Sequence, residues 1–139
     1  MTDISVVSTA YQVENRSWFL GTADNPGFTT SVLLDVSAFT AATHYPDGFF
    51  KSGLAVAKIT AQSTGTRVVV GPYDNAAVDG RGECYGLLFS SVRVPNPANP
   101  AVDVAGAILV AFAAVKLARL PIALDAPGQA DLTRLYFVA

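Results

Sequence analysis

The sequence predicts a mainly β domain, a compact module with tight corners, and three observations carry that reading. Between Tyr45 and Phe89, apolar and β-branched segments are punctuated by glycine and proline: Pro46-Asp47-Gly48, Ser52-Gly53, Gly71-Pro72, Asp79-Gly80 and Gly86. Such punctuation marks strands joined by turns. The N-terminal residues Thr2 to Gly27 are polar and show no helical period. The one alanine-rich segment, Ala105 to Leu120, is apolar all round a helical wheel, and its Val115–Arg119 portion alternates at period two.

Taken in order, Thr2 to Gly27 reads as an arm, either loosely held or added as an edge strand to something else, with an Asn25-Pro26-Gly27 turn at its end. The domain proper is expected from Phe28 to Ala139. Val32–Val36 reads as a strand, and Ser37–Thr40 as a turn or short helix. His44 to Gly48 is a turn by its chemistry, because proline presets φ and Asp-Gly supplies a positive-φ position. Strands follow at Leu54–Thr60, Thr66–Val70, Cys84–Phe89 and Val92–Val94. Asn96-Pro97-Ala98-Asn99-Pro100 is a rigid connector. Ala105–Leu120 stays open between helix and strand, since alanine favours the former. Asp125-Ala126-Pro127-Gly128 reads as the capped start of a helical turn or two, and Leu135–Val138 as a closing strand.

Composition narrows the function. At 139 residues the chain is long enough for one domain with a real core. It carries 14% charged residues against 51% hydrophobic ones; an average soluble domain has about 25% charged. A surface this poor in charge points to apolar area covered by other subunits. The net charge of −2, without a basic run, argues against direct nucleic-acid binding. Met1-Thr2-Asp3-Ile4 lacks the features of a secretory signal, and Val104–Val115 is well short of the ~20 residues that span a bilayer. Synthesis in the cytosol, with no membrane partner, is the expectation.

Candidates for chemistry each lack partners. His44 is the sole histidine and Cys84 the sole cysteine, so neither a zinc site nor a disulfide can be assembled from them. Cys84 lies in an apolar run and reads as a buried thiol. Asp74, Asp79 and Glu83 surround Gly80, but Ala76 and Val78 stand where a calcium loop needs side-chain oxygens. Asp74 and Asp79-Gly80 read as turn chemistry instead, and Lys58 as an outward-facing strand lysine. Trp18 and Phe19 read either as core residues or as interface anchors. No enzyme, cofactor or metal is expected.

An ordered set of elements then suggests a family. Glu14-Asn15-Arg16-Ser17-Trp18, Leu34–Thr40, Phe50-Lys51-Ser52-Gly53 with Ala57–Thr60, Gly71–Asp74, Asp79-Gly80-Arg81, Ala118–Pro121 and Tyr136-Phe137-Val138 together resemble the head decoration proteins of tailed bacteriophages. The similarity is to those of phages infecting actinobacteria and, more distantly, to the small trimeric decoration protein of lambdoid phages. It covers nearly the whole chain. Ala55 and Ala57 depart from the pattern, and Gln62–Val70 is longer than usual.

The resemblance implies a barrel-like "β-tulip" core with short helical turns and an extended N-terminal arm, residues 1–27. It implies a homotrimer on the outside of the expanded capsid, at three-fold and quasi-three-fold positions, bound to the major capsid protein. There the arms would add strands to capsid-protein edges, with Arg16, Trp18 and Phe19 as capsid contacts. The protein would be a virion component, assembled in the host cytoplasm, that stabilises the head against internal DNA pressure. The self-contact is expected from the apolar segments after Gly53 and around Leu109–Phe112. Removal of the arm through Phe19 is expected to leave a folded domain. The rival readings are a β-sandwich or barrel module for a cell-surface carbohydrate or other ligand, and a small hydrolase for which His44 has no nameable partner.

Overall fold

In the computed structural model the described residues are 14–21, 27–95 and 103–139. The strands are β1 (Phe28–Leu34), β2 (Phe49–Phe50), β3 (Ala55–Lys58), β4 (Val69–Pro72), β5 (Cys84–Leu88), β6 (Val92–Arg93), β7 (Val104–Ala111), β8 (Ala113–Lys116) and β9 (Leu135–Val138). Two short helices, α1 (Ala41–His44) and α2 (Ala126–Asp131), and three 3-10 turns complete the set. The chain is mainly β, as its sequence predicts.

Five strands close into a barrel in the order β1-β4-β3-β5-β7, with β7 returning to β1. Only the β1–β4 contact is parallel. Alternation along each strand sorts side chains to two sides of the wall. Val32 and Leu34, Val56, Val70, Leu88 and Ile108 come from all five strands and form one buried cluster, the barrel interior. Phe39, Tyr45, Phe50 and Val94 extend it from outside those strands, with the Phe39 and Phe50 rings 4.6 Å apart.

The residues between them in sequence face outward. Ala55, Cys84, Leu87 and Leu109 join a second cluster with Trp18, Val115, Leu124, Leu132 and Leu135. A small outer sheet, β8 paired in parallel with β9, covers that part of the wall. This resolves the ambiguous Ala105–Leu120 segment as β7 and β8 followed by a 3-10 turn, Leu117–Arg119. A strand buried on both sides is continuously apolar, so its residues fill a helical wheel without being helical.

Several boundaries move. The expected Val32–Val36 strand starts at Phe28 and stops before Asp35, whose carboxylate accepts from Ser37 N–H (3.1 Å) and Ser37 Oγ–H (2.6 Å) and caps the Val36–Ala38 turn. The Thr66–Val70 strand lies instead at Val69–Pro72, and Leu54–Thr60 shrinks to Ala55–Lys58. The turn chemistry holds: Gly48 has φ +85° and Gly80 φ +103°. Asp125 accepts from Gly128 N–H at 2.8 Å and caps α2. The Asn96–Pro100 connector, the Asn25-Pro26 part of the turn and residues 1–13 of the arm lie outside the described residues.

Candidate interaction surface

Residues 14–21 belong to the body of the domain. A tight turn, with Phe19 N–H donating to Arg16 C=O at 3.0 Å, sends the chain along β8. Lys116 N–H donates to Trp18 C=O (2.7 Å) and Leu20 N–H to Ala114 C=O (3.0 Å), around an antiparallel Phe19–Val115 bridge. This stretch therefore acts as a third strand beside β8 and β9.

Of the three expected capsid contacts, Trp18 is corrected outright. Its side chain is 0% exposed, at the heart of the second core cluster. Its indole N–H donates to Ser52 Oγ at 3.0 Å, and that hydroxyl donates to Phe89 C=O at 2.7 Å. Gly53, at φ +95°, makes room: a Cβ there would stand 2.9 Å from the indole and from Pro121. An amphipathic ring whose polar atom is satisfied and whose faces are covered is a core residue. The arm boundary at residue 27 moves with it, and so does the expectation that truncation through Phe19 leaves the fold intact.

Phe19 is half-buried, edge-on to Trp18 (5.9 Å) and to Phe89 (5.3 Å). Arg16 lies 4.2 Å from the Phe89 ring centroid, a cation–π distance, and pairs with Glu14. Glu14 in turn accepts from Ser91 N–H at 2.6 Å. Of the three, only Arg16 keeps a partly exposed charged group.

The exposed apolar residues lie elsewhere: Val78 and Ile122 stand apart in loops, and four others remain. Leu54, Val56 and Ala57, expected to help form a self-contact, are buried in the chain's own core. Phe28, Phe112 and Tyr136 are instead 56%, 66% and 73% exposed, with Leu20 partly exposed. Register places them along one margin. Phe28 stands opposite Ala111, and Phe112 is the next residue on that chain. Phe112 N–H donates to Arg134 C=O at 2.9 Å, and Tyr136 pairs with Ala114, the same residue that Leu20 bonds. At over half exposure each, three aromatics present on the order of 300–400 Å² of apolar surface, the size that marks contact sites. Phe112 adopts φ +60°, a left-handed conformation costly for a bulky side chain. Beside this margin β9 pairs with β8 alone among the described residues, which leaves an edge open to strand addition.

Of the Leu109–Phe112 segment expected to make a self-contact, Leu109 is buried and Phe112 exposed, while Tyr136 went unread as a surface residue. The signal existed for Tyr136: alternation along Leu135–Val138 turns it away from buried Leu135. For Phe112 nothing local distinguishes it from its buried neighbours.

The candidates for chemistry are tied into the fold. His44 Nδ1 accepts from Thr40 N–H at 2.9 Å, and burial lowers its pKa below the ordinary 6.5. The Cys84 thiol is pushed up to about 12 by burial first and then by nearby Asp131, and at neutral pH a thiol is not a nucleophile. Tyr73 is raised likewise, by burial and by donating to Asp125 at 2.9 Å. Asp131 accepts from Cys84 N–H at 2.9 Å and pins α2 to β5. Asp79 pairs with Arg81, Asp74 accepts from Ala76 N–H, and Lys58 faces solvent. Beside the Glu14–Ser91 contact opens a cleft of about 390 Å³. No family model, curated protein or solved structure matches this chain.

Proposed function

We propose that the chain is a phage capsid decoration protein. It binds the outside of the expanded head as homotrimers at three-fold and quasi-three-fold positions and holds neighbouring major capsid subunits together. It acts without chemistry, through free energy of binding alone. The observation that carries this reading is the apolar margin of Phe28, Phe112 and Tyr136 beside the open β9 edge, on a domain with a low charge content. Aromatics on a rigid barrel wall supply contact area at little entropic cost, and an open edge accepts a strand. The ordered sequence resemblance supports the same conclusion. A trimer touching several capsid subunits must lose all contacts together before they separate, so modest contacts add up to tight attachment.

The test is co-sedimentation with expanded capsids, followed by imaging of the particles. Density for three copies at the three-fold positions, and a higher rupture temperature that saturates with occupancy, are expected. Failure to sediment with capsids, or one or two copies per site, would defeat the proposal. Protection at strongly substoichiometric amounts would point to an enzyme instead.

A further inference from the structure

The cleft beside the N-terminal strand brings together two side-chain cations that pair with no carboxylate among the described residues. The two are Lys51 and Arg119. Glu14, next in sequence to the cleft residue Asn15, is already engaged on both oxygens, one with Arg16 and one with Ser91 N–H. Ser91 also lines the cleft, and its buried Oγ has no hydrogen-bond partner among the described residues. Asn15 adds an amide at the rim, while Phe49 and Pro121 give the cleft apolar walls.

We propose that this cleft binds a carboxylate carried on an aliphatic or sugar stem. Two uncompensated cations in a chain of net charge −2 select an anion. Arginine and lysine together suit a carboxylate, the guanidinium through paired N–H donors and the ammonium as a point charge. The Asn15 amide NH2 at the rim supplies a further hydrogen bond, its Oδ1 already accepting from Ser17 N–H. The apolar walls favour a ligand whose charge continues into carbon over a free inorganic anion. At about 390 Å³ the cleft falls in the range of ordinary small-ligand sites and accepts a short dicarboxylate or one uronic acid unit. This site stands whether or not the protein decorates a capsid, because it needs only the isolated chain.

The experiment is NMR titration of the isolated full-length protein with three probes: glutarate, a galacturonate trisaccharide and inorganic phosphate. Saturable shifts at Asn15, Lys51 and Ser91 are expected with glutarate or the trisaccharide, and the tighter of the two identifies the stem. The double substitution Lys51→Gln with Arg119→Gln should weaken binding by about tenfold or more, since it removes both charge-assisted contacts. Arg93→Gln, exposed at the end of β6, should leave it unchanged. Both cleft cations are solvent-exposed, so the double variant should keep the wild-type spectrum in the absence of probe. Absence of saturable shifts, phosphate binding as tight as either carboxylate, or undiminished binding by the double variant would each overturn the proposal.

Discussion

Trp18 and Ser52 stand 34 positions apart in the chain, and the indole N–H of the first donates to the hydroxyl of the second at 3.0 Å inside the core. Ser52 donates onward to Phe89 C=O, so one hydroxyl ties the N-terminal strand to the end of β5. The link converts a segment that reads as a free arm into part of the body.

Trp18→Ala should therefore destabilise the isolated domain by about 3–5 kcal/mol, the usual cost of emptying a large aromatic site. Ser52→Ala, which leaves the indole N–H buried and unpaired, should cost about 1–3 kcal/mol. Urea denaturation of both variants and of a truncation through Phe19 checks this. A truncated chain as stable as the full one would show that Trp18 contributes nothing to the core.

Glycines 53 and 48 separate two kinds of backbone requirement. Both have positive φ, but a Cβ at Gly53 meets Trp18 and Pro121 at 2.9 Å, whereas one at Gly48 meets nothing within 4 Å. Gly48→Ala should cost about 1 kcal/mol for the left-handed conformation alone. Gly53→Ala adds overpacking and should cost about 3 kcal/mol or more. Equal losses in thermal or urea unfolding would contradict the packing argument.

Phe112 combines a strained backbone with an exposed ring, so fold and assembly should respond to its replacement in opposite directions. Phe112→Gly relieves the left-handed strain and should leave the isolated domain as stable as wild type or up to about 1 kcal/mol more stable. Capsid attachment by the same variant should weaken by on the order of 2 kcal/mol if the ring is a contact anchor. Unchanged attachment would remove Phe112 from the interface.

Acid should destabilise the fold in two steps. His44 has a folded pKa below its unfolded 6.5, so between those values the unfolded chain binds more protons and stability falls as the pH drops. For Asp35, burial raises the pKa, but hydrogen bonds from Ser37 and from Gln62 Nε2 (2.8 Å) together outweigh it and leave a value below 3.8. Its contribution is present above 3.8 and is lost as pH falls through the folded value. His44→Gln should flatten the first step and Asp35→Asn the second, in unfolding free energies measured from pH 8 to pH 3.

Cys84, with its thiol at about 12, should resist iodoacetamide at pH 8 in the native protein and react once urea unfolds the chain. Alkylation at equal rates in both states would show that the thiol is accessible.

Local chemistry was legible wherever it acts on neighbouring residues. The Asp-Gly corners at 47–48 and 79–80, the Asp125 cap with Pro127 in the first turn of α2, and the alternation of the last strand all follow from contacts a few positions apart. The mainly β character and the outward Lys58 were legible on the same grounds. Strand limits were less so, because β1 and β4 are placed by their partners: Leu33 and Leu34 align with Val69 and Val70, which propensity alone cannot see.

The sequence by itself determined a β-rich module, its turns and a composition short of charge. Only the tertiary structure decided which apolar residues are core and which are surface. Trp18 sits in a polar stretch yet is buried, because β8 pairs with it and Ser52 receives its N–H. Phe112 sits in an apolar stretch yet is exposed, because the chain turns there from the barrel wall to the outer sheet. Burial depends on what other segments lay over a side chain, and those segments lie far away in sequence.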